Sequence, residues 1–120
     1  MIRELTCGML SELGYAYIQA DCAERAVEAL ELHPVDLVVT DYSMGEMTGL
    51  DLIDYIKRTH PITPAILASG CDAQAIHTDV VVLPKPFVLD GLERAIRAAF
   101  ARYGRHPAIS RALDLTQHKT

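Results

Sequence analysis

Three polar side chains stand at the ends of three apolar runs. Asp41 closes Leu37-Val38-Val39-Thr40, Ser69 closes Ala65-Ile66-Leu67-Ala68, and Lys85 follows Val80-Val81-Val82-Leu83 and Pro84. A carboxylate, a hydroxyl and an ammonium converging at one edge suit phosphoryl transfer. The carboxylate can act as nucleophile while the other two bind oxygens of the transferred group. Taken singly, an Asp or a Ser-Gly pair after an apolar run is a turn former. Three such groups, each in the same place relative to its run, are harder to explain as turns. The runs must then be strands of one parallel sheet, because ligand sites in such sheets lie beyond the carboxyl ends of the strands.

The rest of the chain supplies elements that fit this requirement. Ile2, Leu5, Met9 and Leu13 recur at helical spacing, and Gly14 ends that helix. Tyr15 to Ala20 is β-prone. Asp21-x-x-Glu24 predicts a capping box for a second helix with Ala23, Ala26, Val27 and Leu30 inward, stopped by His33-Pro34. The stretch from Val35 to Asp41 is nearly all apolar, as a strand covered on both faces requires. A loop containing Gly45 and Gly49 leads to a helix with Leu50, Leu52, Ile53 and Ile56 inward. Residues 70–79 have room for a turn or two of helix between the strands Ala65 to Ala68 and Val80 to Leu83. Asp90-x-x-Glu93 predicts a second capping box for a last helix through Leu92, Ala95, Ile96, Ala99 and Phe100, ended by Gly104. The order α-β-α-β-α-β-(short α)-β-α implies an α/β fold with a doubly wound parallel sheet and helices on both faces.

Composition bounds the function classes. With 120 residues, the chain has the size of one domain and can bury roughly 65–70% of its unfolded surface without disulfide or metal staples. It is 50% hydrophobic and 22% charged, which is globular, and its net charge of −5 argues against a nucleic-acid module. The charge is uneven. Residues 1–100 hold seven basic and fifteen acidic side chains, while 101–120 hold four and one. That break suggests a domain over 1–103 followed by a tail or linker stub over 104–120. Cys7, Cys22 and Cys71 are odd in number and far apart, as reduced thiols of a cytoplasmic protein would be. The five histidines show no ligand spacing, and no apolar run approaches a membrane span.

The residues Asp41-Tyr42-Ser43-Met44-Gly45-Glu46-Met47-Thr48-Gly49, Ile66-Leu67-Ala68-Ser69-Gly70 and Pro84-Lys85-Pro86-Phe87 resemble the receiver domain of two-component response regulators. The likeness runs from about Ile2 to about Tyr103, and its flavour is that of receivers attached to hybrid histidine kinases. The resemblance implies a flavodoxin-like fold and Asp41 as phosphoacceptor. Ser69 would contact the phosphoryl oxygen, and Lys85 would pair with it. It also implies a cis Lys85–Pro86 bond and Mg²⁺ held by Asp41 and the Ser43 carbonyl. The implied partner is a histidine kinase or phosphotransfer protein. Receivers are not usually counted as enzymes, and nothing here points to nucleic acid or a membrane as partner.

Departures from the family pattern shape the expectation. The family's first strand, with the acidic pair that holds Mg²⁺, should precede Ile2, so the N-terminal strand is expected to be missing and Mg²⁺ binding weak or absent. Its loss should leave a gap between the Tyr15–Ala20 and Val35–Thr40 strands or force them to pair. That leaves a homodimer by strand or face exchange open. Val82 stands where an aromatic switch residue is common, and residues 70–79 are short for the fourth helix. The leading expectation is a phosphorelay receiver with reduced competence at Asp41. The alternative is a phosphorylation-independent pseudo-receiver that serves as an interaction domain. A phosphatase using Asp41 would need a second acid two residues on, where Ser43 stands.

Overall fold

The computed structural model describes residues 5–42, 48–70, 80–104 and 111–116. Its elements in chain order are α1 (Leu5–Glu12), β1 (Ala16–Gln19), α2 (Ala23–Leu32), β2 (Leu37–Asp41), α3 (Gly49–Thr59), β3 (Ala65–Ser69), β4 (Val81–Pro84), α4 (Leu89–Ala101) and β5 (Arg111–Leu115). All five strands are parallel and lie in the order β1-β5-β2-β3-β4. The alternating expectation holds from α1 to α4, and the short helix expected over 70–79 falls almost wholly outside the described residues. This is the flavodoxin-like arrangement, a sheet wound on both faces.

Two layers of helix cover the sheet, and strand alternation decides which side chain meets which layer. On one face Leu37, Val39, Ile66, Ala68 and Ala112 pack with Leu10 of α1 and with Leu92, Ile96, Ala99 and Phe100 of α4. On the other, Val38, Leu113 and Leu115 pack with Ala26 and Leu30 of α2 and Leu52 and Ile56 of α3. Every residue of β2 is buried, which is why its sequence is apolar on both faces up to Thr40 and Asp41.

The stretch expected to be a tail is corrected by β5. Arg111–Leu115 lies in the middle of the sheet, paired with β1 through Ala16↔Arg111 to Gln19↔Asp114 and with β2 through Leu37↔Ala112 to Thr40↔Leu115. In the flavodoxin-like order 2-1-3-4-5 this place belongs to the first strand. Here a strand arriving after α4 takes it. The expected gap is therefore filled, and β1 and β2 do not pair with each other. Backbone bonds fix both ends: Asp36 N donates to Arg111 O at 2.9 Å and Ala20 N to Asp114 O at 3.0 Å. The strand escaped the periodicity reading because it is five residues long, basic at its start and carries an acid inside, a residue type depleted in strands.

Both expected capping boxes are also corrected. The N-cap of α2 is Cys22 and that of α4 is Val88, and neither makes a side-chain capping bond. Asp90 lies in the first turn of α4, where a carboxylate favours the helix dipole, and Glu93 pairs with Arg97 at 3.1 Å. The true capping box belongs to α3. Thr48 Oγ1 accepts from Asp51 N at 3.1 Å and Thr48 N donates to Asp51 Oδ2 at 3.2 Å.

Leu113 is fully buried, so Leu113→Ala should lower the unfolding free energy by about 2–5 kcal/mol, visible as a fall in the urea midpoint. A solvated tail would leave that midpoint unchanged.

Candidate functional site

The carboxyl edge of the sheet gathers the groups singled out above. β2 ends in Asp41, β3 ends in Ser69, and Lys85 follows β4. Asp41 and Lys85 meet: Nζ lies 2.6 Å from Oδ1. The contact is a close approach of opposite charges without hydrogen-bond alignment. Both groups are substantially removed from water, with side-chain exposures of 9% for Asp41 and 26% for Lys85. An ion pair so placed interacts more strongly than one at the surface, at the expense of desolvating both charges.

Backbone geometry brings Lys85 to this position. Ser69 pairs with Pro84 across the β3–β4 ladder, and Lys85 N donates to Ser69 O at 2.6 Å. The Lys85–Pro86 bond is cis, as the resemblance implied. Ser69 is buried at the end of β3. On the far side, Tyr42 N donates to Ala68 O at 3.0 Å, carrying the β2–β3 register one residue past Asp41.

The start of α3 presses on the same edge. Gly49 N donates to Tyr42 O at 2.6 Å, and a Cβ on Gly49 would collide with the Asp41 carbonyl oxygen and lie 2.7 Å from Leu67 Cδ1. Only glycine lets the helix approach the acceptor strand this closely. The Thr48–Asp51 box fixes where α3 begins and thereby sets this approach. Its sequence signal, Thr-x-x-Asp ahead of an apolar run, was present at 48–51 but did not enter the reading of the elements.

β5 contributes two further polar residues that sequence reasoning missed. Its register with β2 puts Asp114 beside Val39 and, carried one residue on, Thr116 level with Asp41. Asp114 is 1% exposed, and its Oδ1 accepts from Thr116 N at 2.9 Å and from Thr116 Oγ1 at 2.6 Å. Thr116 Oγ1 also lies 2.9 Å from Thr6 Oγ1 of α1. This chain of bonds satisfies a carboxylate buried in the α1–α4 layer. An Asp followed two residues later by Thr was the available signal, read instead as part of a tail.

The donor set bears on the metal that the resemblance implies. A hard dication takes several oxygen ligands. Among the described residues no group of three His, Cys, Asp or Glu side chains is placed to hold one. Asp41 already faces Lys85, Asp114 Oδ1 is engaged by Thr116 at Val39's level, and Thr116 brings a hydroxyl where a carboxylate would serve. The described residues thus do not make a fitting Mg²⁺ site. Ser43, the expected carbonyl ligand, lies outside the described residues. Val82 is half-buried against Ile53 and Leu67, a packing residue at the position where an aromatic was looked for.

Comparison with known proteins agrees with this geometry. The family model described as the response regulator receiver domain matches residues 1–97. The chain is 31% identical to the response regulator RR06 of Streptococcus pneumoniae over 122 residues, 97% of this chain and 56% of that protein. It is 38% identical over 68 residues to the autoinducer 1 sensor kinase/phosphatase LuxN of Vibrio campbellii, covering 57% of this chain and 8% of that one. The chain therefore spans only about half, or much less, of the length of these relatives. Among solved structures it resembles the receiver domain of NtrX from Brucella abortus, with a TM-score of 0.73 and 30% identity over 83% of this chain and 90% of that one. The match to the family model stops before β5, so the strand in the middle of the sheet comes from outside the matched region.

Gly49→Ala should cost about 1–3 kcal/mol of stability through overpacking against the Asp41 carbonyl, measured by chemical denaturation.

Proposed function

Because the chain belongs to the response regulator receiver family, a signalling module of two-component systems, we propose that Asp41 is its phosphoacceptor. The observation that carries this is the 2.6 Å approach of Lys85 Nζ to Asp41 Oδ1 at the edge where Ser69 also ends its strand. In the proposed step a carboxylate oxygen of Asp41 attacks the phosphorus of a phosphohistidine on a kinase or phosphotransfer protein. The P–N bond breaks as the P–O bond forms, and the imidazole nitrogen leaves with its electron pair. The acyl phosphate carries more negative charge than the carboxylate it replaces. Lys85 is placed to follow that charge onto a phosphoryl oxygen, and the Ser69 hydroxyl to donate to another. The new charge then biases a two-state population that a partner reads.

The proposed competence is reduced, for an electrostatic reason. With Lys85 as the cation in contact with Asp41, the incoming phosphoryl charge is less well neutralised than with a hard dication also present, a difference of several kcal/mol in transition-state terms. The second reading, a pseudo-receiver that binds its partner without phosphorylation, draws on Thr116. The strand beside β2 brings a hydroxyl, not a carboxylate, level with Asp41.

Incubation of the chain with a small phosphodonor and Mg²⁺, followed by intact-mass analysis, separates the two. The receiver reading expects a slowly formed adduct of one phosphoryl group that disappears in Asp41→Asn. No adduct, with partner binding that survives Asp41→Asn, would establish the pseudo-receiver instead.

A further inference from the structure

The sheet has two outer strands, β1 and β4, and each is paired on one side only. A strand with one bare side presents a row of backbone donors and acceptors to any other strand that reaches it. In an extended chain the N–H and C=O of one residue point the same way, and successive residues alternate between the two sides. The bonds already made therefore fix which groups face out. Ala20 N donates to Asp114 O, so Ala16, Ile18 and Ala20 face β5, and the outward groups of β1 belong to Tyr17 and Gln19. On β4, Lys85 N donates to Ser69 O, which leaves Val82 and Pro84 outward, and Pro84 has no N–H to give.

The bare side of β1 is open to solvent. Ala16, Tyr17 and Gln19 are exposed, Tyr17 at 45%, while Ile18 is half-buried against the α2–α3 layer. The usual guards of an outer strand, a charge or a proline, are absent from Tyr15 to Ala20. The pattern also matches itself. Two copies of β1 laid antiparallel about a two-fold axis at Ile18 set Tyr17 opposite Gln19 of the second copy, and Gln19 opposite its Tyr17. Each of these pairs exchanges two bonds, so four bonds use every outward group of both strands. Ile18 then meets Ile18 of the second copy as the closer, non-hydrogen-bonded pair at the centre.

Charge points the same way. A net charge of −5 opposes self-association on the whole, and this uncharged strand lets two copies meet without like charges opposite each other. The two-fold consumes the open edge of both copies, and β4 lacks an outward donor at Pro84, so assembly stops at two. We propose that β1 is a self-docking edge that pairs antiparallel with β1 of a second copy, so that two five-stranded sheets run on as one. The contact rests on the backbone groups of β1 and on no property of Asp41.

Sedimentation velocity of the full chain, without phosphodonor, measures the association, and isotope-filtered NMR of mixed labelled and unlabelled chains locates it. A monomer–dimer equilibrium is expected below about 1 mM, with contacts between chains from Ile18 to Ile18 and from Tyr17 to Gln19. Gln19→Pro removes an outward N–H and spares the β5 ladder. It deletes two of the four bonds and should weaken the dimer about tenfold or more. Tyr17→Lys, at an exposed position, guards the edge with a charge and should weaken it similarly. Gln19→Ala keeps the N–H and should dimerise as the parent does. If the urea midpoint shows that the proline disturbs folding, Tyr17→Lys alone decides. Three results would overturn the proposal: a chain monomeric up to about 1 mM, a dimer that the folded edge variants leave unmoved, or contacts between chains that exclude Ile18.

Discussion

The parallel ladder on either side of β5 is the constraint on which the rest of this molecule depends. A strand inside a parallel sheet must satisfy its backbone groups on both edges, and β1 and β2 each have an edge that only β5 completes. Fill that place and α1 can pack over one face while α2 and α3 pack over the other. Leave it open and two rows of amides and carbonyls lie unpaired in the middle of the sheet. Leu113 and Leu115 then bind the α2–α3 layer, and Ala112 joins the α1–α4 layer, so the same five residues hold both cores.

The phosphoacceptor edge inherits its geometry from this ladder. Asp41 is fixed between β3, whose Ala68 accepts from Tyr42, and β5, whose end brings Thr116 alongside. Lys85 reaches it from the far side of β3, held by the carbonyl of Ser69. The site therefore combines residues from within the family-model match with residues from beyond its end. The first supplies nucleophile, hydroxyl and cation. The second replaces the expected acids with a threonine and a carboxylate already satisfied by its own neighbours.

Much of this was legible in the sequence where period and punctuation agree. The β2 run from Leu37 to Thr40 reads as a doubly covered strand because every position is buried. Asp41, Ser69 and Lys85 follow from strand ends, which are fixed by simple apolar runs. The fifth strand was not legible, because its burial depends on edges more than 70 residues away and not on its own composition. Asp114 illustrates the difficulty: an acid is evidence against a buried strand until the Thr116 bonds that satisfy it are known. The helix starts failed for a different reason. Asp21 and Asp90 have the right residue type, but packing sets the first turns at Ala23 and Leu89, one or two positions out of phase with the motif.

The bond between Thr6 and Thr116 joins residues 110 positions apart. An emerging polypeptide meets this as a matter of timing. Ribosomal synthesis releases α1, β1 and β2 well before the segment that must lie between β1 and β2 exists, so the sheet closes only after β5 has left the exit tunnel. Loop-closure entropy adds to the delay, since contacts of such long sequence separation form slowly. Until then the nascent chain carries two open parallel edges around an unfilled place, the kind of surface on which chaperones act and aggregates begin.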